Sequence, residues 1–217
     1  DAGADAGADA GPAGEANGQS CTDGEACLSG ECMQIPFLGG QCGECTEDDD
    51  CAEGGCTVFA PYGDTGSTCN AGEAAGGCES DEACGDGLVC GTVLNALGLI
   101  EVKTCGACTS NEDCTDGAAP FCTPIVDSVT FGGQNFCLAV SSLGLDELCD
   151  LEGDGDQHCA SDRCEPVDAD GLFDVGACSE CEVGTDAGCD NGETCVAGNY
   201  AITTDGSVQG NSCQPES

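Results

Sequence analysis

Apolar positions in this chain come in short clusters set between runs of acids and turn formers. The clusters are β-branched and aromatic: Thr57-Val58-Phe59, Val93-Leu94, Ile100-Glu101-Val102, Val126 to Phe131 and Tyr200 to Thr204. Turn formers such as Gly132-Gly133 and Asp205-Gly206 follow, and then a cysteine. Strand, turn and strand between two cysteines predict a β-hairpin with its ends held by those cysteines. The polar runs, such as Thr22-Asp23-Gly24-Glu25-Ala26 and Glu79-Ser80-Asp81-Glu82-Ala83, predict tight turns. Gly30, Gly54, Gly87, Gly117 and Gly192 stand where a turn at positive φ is expected. The longest apolar stretch, Val93 to Val102, is broken by Asn95, Gly98 and Glu101, far short of the ~20 residues of a membrane span.

The cysteines organise this pattern into a repeat. Taken in fours they form unit 1 (Cys21, Cys27, Cys32, Cys42), unit 2 (Cys45, Cys51, Cys56, Cys69) and unit 3 (Cys78, Cys84, Cys90, Cys105). Unit 4 is Cys108, Cys114, Cys122, Cys137; unit 5 is Cys149, Cys159, Cys164, Cys178; unit 6 is Cys181, Cys189, Cys195, Cys213. Every unit has two short spacings and then a long one. The units also pair, with only Gly43-Glu44, Gly106-Ala107 and Ser179-Glu180 inside the pairs. Longer linkers, Asn70 to Gly77 and Leu138 to Leu148, separate them. The expected organisation is three elongated eight-cysteine modules, 21–69, 78–137 and 149–213, behind a low-complexity Asp/Ala/Gly arm, Asp1 to Ser20.

Composition explains why cross-links are needed. Of 217 residues, 24 are Cys and 36 Gly, with no Trp and eight Phe plus Tyr. So few large side chains cannot build one continuous core, so disulfides must substitute for it, as in small secreted domains. The expected fold is small and disulfide-rich, mostly β-hairpins and loops. Two basic and 42 acidic residues give a net charge of −40, which removes any electrostatic basis for nucleic-acid binding or attraction to anionic membranes. Twelve disulfides require an oxidising compartment, so a secreted or cell-surface location is expected. The chain opens at Asp1 without a leader and is expected to be a mature form that has lost its export signal.

Four cysteines allow three pairings, and sequence alone does not select one. First-to-third with second-to-fourth is the favoured reading, because crossed bridges pin the acidic turn onto the hairpin. Each bridge contributes about 2–4 kcal/mol by constraining the unfolded chain.

The opening Cys-x2-Asp-x2-Cys, which Cys78, Asp81 and Cys84 match directly, resembles the Dickkopf N-terminal type of cysteine-rich repeat. Cysteine-rich surface proteins of myxobacteria and related bacteria carry similar runs behind Asp-Ala-Gly-rich spacers. The resemblance covers 21–213 by cysteine pattern and 1–20 by composition. Unit 5 departs from it, with a longer first gap, and the resemblance implies no catalytic residues.

Candidate chemistry is sparse. Cys42/Cys45, Cys105/Cys108 and Cys178/Cys181 have zinc-like spacing, but each pair straddles two units that need its members. His158 is the one imidazole and adjoins Cys159, which the repeat assigns to a disulfide, so no nucleophile–base pair is expected and the chain does not read as an enzyme. Calcium is the one plausible cation, and no other cofactor is implied. Asp150, Glu152, Asp154 and Asp156 alternate along the chain with Gly155 at the sixth position, like the start of an EF-hand loop, although Ser161 replaces the closing glutamate. Asp168, Asp170 and Asp174 form a second acidic group in the next hairpin. The alternative for both is a solvated acidic surface.

Two functional classes are compatible with these features. One is a subunit of an extracellular filament or surface layer, binding copies of itself through the arm. The arm has almost nothing to bury, and ordering it costs on the order of 20–40 kcal/mol, so docking on a neighbour, for instance along a hairpin edge such as Val126 to Phe131, would have to offset that. The other is a surface-tethered binding or adhesion module on a flexible spacer, for which the acidic groups would supply calcium dependence.

Overall fold

In a computed structural model of the chain, the described residues are 14–36, 39–58, 65–96, 100–126, 132–151, 154–169, 173–185, 187–201 and 207–216. Arm residues 1–13, Glu152, Asp170 and the expected strand residues 59, 127–131 and 202–204 lie outside them.

Strands and turns make up almost all the regular structure; the longest helix among the described residues is the single turn Gly155–His158. Each unit supplies an antiparallel strand pair whose third and fourth cysteines stand directly opposite each other; in unit 6 a second pair, Asn199–Tyr200 with Val208–Gln209, lies between those strands and joins the unit 5 sheet. The pairs are Cys32 and Cys42, Cys56 and Cys69, Cys90 and Cys105, Cys122 and Cys137, Cys164 and Cys178, and Cys195 and Cys213. In unit 1 Ser20–Cys21 adds a strand to the hairpin, and in unit 5 Leu148–Cys149 does the same.

All 24 cysteines are in disulfides, and every bridge joins the first to the third or the second to the fourth cysteine of one unit. Because the third and fourth cysteines oppose each other, the two bridges of a unit lie side by side. In units 1 to 5 a sulfur of one bridge lies within 4.8 Å of both sulfurs of the other. These paired bridges take the place of a core. More than half of the buried apolar side chains among the described residues are cysteines. The largest carbon cluster is Val167, Ala169, Ala177 and Tyr200, where the unit 5 hairpin pairs with Asn199–Tyr200 of unit 6.

The acidic run before the second cysteine folds as a short 3-10 turn: Gly24–Ala26, Asp48–Asp50, Asp81–Ala83 and Asn111–Asp113. Each of these turns occupies the three residues that precede the second cysteine. Gly30, Gly54, Gly87 and Gly192 have positive φ, as the turn reading expects. Gly117 does not, and in unit 5 a non-glycine, Asp162, takes the left-handed conformation at φ 55°.

Backbone hydrogen bonds reach beyond the cysteine-bounded segments 21–69, 78–137 and 149–213. The residue six places before each first cysteine docks beside the second cysteine: Leu28 donates to the Glu15 carbonyl at 2.9 Å, Gly85 to Gly72 at 2.8 Å and Ala160 to Leu143 at 2.8 Å. Three places before each first cysteine, the N–H groups of Gly18, Ala75 and Asp146 donate to the fourth-cysteine carbonyls of Cys42, Cys105 and Cys178 at 2.7, 2.9 and 3.0 Å. All three residues have positive φ, at 85°, 67° and 67°. Residues in 15–20, 72–77 and 143–148 are thus hydrogen-bonded to the cysteine-bounded segments that follow them.

Candidate functional site

What recurs among the described residues is the joint between units. The buried polar side chains among the described residues are Ser67, Thr104, Thr123, Asn135, His158, Ser179 and Asn211. Each stands at such a joint. A polar group held out of water needs a hydrogen-bond partner, so these positions define unit geometry tightly.

Within a module the joint uses the residue two places before the last cysteine. The carbonyls of Ser67, Asn135 and Asn211 accept the N–H groups of Glu44, Ala107 and Glu180 at 2.8, 2.9 and 2.9 Å. The preceding connector residue is small because the returning strand lies against it. A Cβ on Gly106 would come within 2.8 Å of the Asn135 nitrogen and 2.9 Å of its oxygen. In module 3 the connector is Ser179, whose hydroxyl accepts the Asn211 N–H at 2.9 Å. The side chains of Glu44 and Glu180 then accept the N–H of Cys69 and Cys213 at 3.1 and 3.0 Å.

Between modules the upper unit offers its third-cysteine strand to the second-cysteine turn of the next. At the first joint the Thr57 hydroxyl accepts the Gly77 N–H at 3.0 Å, and Asp48 Oδ2 accepts the Glu79 N–H at 2.6 Å. A Cβ on Gly55 would lie 3.1 Å from the Ala83 Cβ. At the second joint the Phe121 and His158 rings stand 4.9 Å apart, and the Thr123 hydroxyl lies 3.0 Å from His158 Nδ1. Burial pushes the His158 imidazole below its ordinary value, against the opposing pull of Asp150 and Asp154. The lone histidine is thus a neutral joint residue at pH 7, hydrogen-bonded to a threonine of the preceding module.

The acidic loop of unit 5 is partly absorbed into this frame. Asp156 Oδ1 accepts the Cys164 N–H at 2.7 Å. Asp48, Asp81 and Asn111 make the same bond to the third cysteines Cys56, Cys90 and Cys122 at 2.9, 2.8 and 2.8 Å. Asp154 accepts from Asn111 Nδ2 at 3.2 Å and from Gln157 Nε2 at 3.0 Å. Asp150 precedes that turn, and Glu152 lies outside the described residues. Asp168 and Asp174 oppose each other across the hairpin. The cysteine pairs with zinc-like spacing are divided between different disulfides, which removes the thiolates a metal would need.

A cavity of about 410 Å³ lies where units 1, 2 and 3 meet, with Met33, Ile35, Val58, Glu101 and Val102 in its wall. The sequence reading does not anticipate it, because its wall comes from three units. It also misses Ser67, Asn135 and Asn211; their one signal is a shared position two places before a fourth cysteine.

Among the described residues no helix is long and apolar enough to cross a membrane. Comparison with family models, curated proteins and solved structures finds no match for this chain.

Proposed function

We propose that this chain is a secreted structural protein, a linear array of Dickkopf-type disulfide units that serves as the subunit of an extracellular filament or surface layer. One observation carries the reading: the hydrogen bonds between units described above all join consecutive units, through joints whose positions recur. Repeats that contact their neighbours build quasi-one-dimensional scaffolds, whose stability is a sum of unit and joint terms. Disulfides in place of a carbon core suit such a scaffold to an oxidising exterior.

Residues 15–20 are bonded to their own module, so the part of the arm left to reach a neighbouring copy is 1–13. The strong negative charge keeps copies apart at low salt and makes assembly depend on screening. Electron microscopy of the purified, fully oxidised chain across salt and calcium concentrations tests the reading. Filaments or sheets are expected; single particles under every condition would refute it. The cavity between units 1, 2 and 3 favours the second reading, a binding module, in which single particles would retain a ligand from the native source.

A further inference from the structure

The two joints between modules reuse the same positions, whose counterparts are exposed on unit 6 and half-buried on unit 1. In the upper unit of each joint, the residues immediately before and after the third cysteine face the next module: Gly55 and Thr57 in unit 2, Phe121 and Thr123 in unit 4. In the lower unit the residue immediately before the second cysteine receives them: Ala83 in unit 3 and His158 in unit 5. A small pair, Gly55 over Ala83, and a large pair, Phe121 over His158, thus fill one position. The joint is a geometry that tolerates different side chains as long as they match.

Unit 6 carries Thr194 and Val196 at the upper-face positions, and unit 1 carries Ala26 at the lower-face position. Thr123 is completely buried beneath its joint, whereas Val196, its counterpart, is 41% exposed. Thr194 is exposed, and on unit 1 so are Ser20 and Thr22, the neighbours of the first cysteine; Ala26 is half-buried. Val183, also on unit 6, is 48% exposed. End repeats of a solenoid that stays monomeric carry a polar outer face; here the corresponding face presents Val196.

We propose that unit 6 of one copy docks on unit 1 of a second copy through the geometry of the internal joints, with Thr194 and Val196 over Ala26. A heterologous contact of this kind does not close on itself unless its rotation happens to, so it propagates. The proposal rests on the filament reading and specifies its interface. The arm would then leave unit 1 where, at the internal joints, the connector from the preceding unit enters.

The test uses the full 217-residue oxidised chain, with association read by sedimentation velocity and particle shape by electron microscopy. Val196→Asp and Ala26→Asp should each weaken association by about tenfold or more, because each puts an unpaired carboxylate into an apolar contact. Val196→Asp combined with Ala26→Lys should restore it. Val140→Asp, at a residue 56% exposed and away from these faces, should assemble like the parent. Intact disulfides by mass spectrometry and an unchanged melting temperature show that each variant is folded. If the parent chain does not associate, the filament reading itself falls. If the parent and both single variants associate equally, filaments stand and this interface is overturned. Loss in both single variants without rescue overturns the Val196–Ala26 pairing.

Discussion

Asp81 accepts the backbone N–H of Cys90 through its side chain at 2.8 Å, nine residues along the chain. Asp48 with Cys56, Asn111 with Cys122 and Asp156 with Cys164 repeat the bond. The acid in the Cys-x2-Asp-x2-Cys opening thereby ties the 3-10 turn to the hairpin strand that both bridges hold. The motif is an instruction for the backbone, which explains why an amide serves as well as a carboxylate at Asn111.

Substitution at this position should separate acceptor from charge. Asp81→Ala should lower the stability of the oxidised protein by about 1 kcal/mol, while Asp81→Asn, which keeps an acceptor, should stay within a few tenths. Chemical denaturation with the disulfides intact measures both. Equal losses would mean that charge matters here and the hydrogen bond does not.

Close packing at the connector makes a second test. Gly106→Ala puts a Cβ within 2.8 Å of the Asn135 backbone, where nothing flexible can give way, and should cost about 1–3 kcal/mol. Gly117→Ala is the comparison: its Cβ would meet nothing within 4 Å and its φ is not positive. Thermal melting should show a clear loss for the first and little change for the second.

Truncation distinguishes arm from leader. Removing residues 1–13 should leave the melting temperature of the monomer unchanged. Removing 1–20 also deletes the Glu15, Gly18 and Gln19 bonds to Leu28 and Cys42, at about 1 kcal/mol each. Hydrogen exchange in unit 1 should quicken only in the longer truncation.

Two turn carboxylates predict an acid limb. The exposed Asp50 is held below its ordinary 3.8 by backbone N–H bonds from Thr46 and Glu47, opposed by slight desolvation and helped by the Thr46 hydroxyl. Asp113 is lowered in the same way, by the Thr109 N–H and hydroxyl and by Ser110. A folded-state pKa below the unfolded one gives stability that is complete above the unfolded value and is lost as pH falls through the folded value. The stability difference between the parent and Asp50→Asn should therefore be constant from neutral pH to about pH 5 and should shrink below 3.8. A difference that stays constant down to pH 2 would contradict this.

Cations should act on the whole charge. With Asp156 and Asp154 already accepting protein hydrogen bonds, millimolar calcium is expected to raise the melting temperature no more than magnesium at equal ionic strength. A larger calcium effect that Asp150→Asn abolishes would instead identify a specific site at Asp150, Glu152 and Asp154.

Cysteine spacing, glycine placement and the scarcity of large side chains determined the local design: hairpins closed by cysteines, acidic turns before them, and bridges replacing a core. These features are readable because they are short-range. A hairpin between Cys90 and Cys105, or a turn from Asp81 to Ala83, depends on residues within one unit. The crossed pairing, which pins the acidic turn onto the hairpin, is one of three that the spacing allows, and the structure selects it in every unit. The tertiary structure decided how segments outside the four-cysteine frames dock and what passes between units. Glu15, Gly72 and Leu143 join their modules only because Leu28, Gly85 and Ala160 reach them. His158 becomes a buried, neutral residue only because Phe121 and Thr123 arrive from another unit. No local pattern of polar and apolar residues encodes such contacts, because their partners, such as Thr123 and His158, meet only once each unit has closed around its own two bridges.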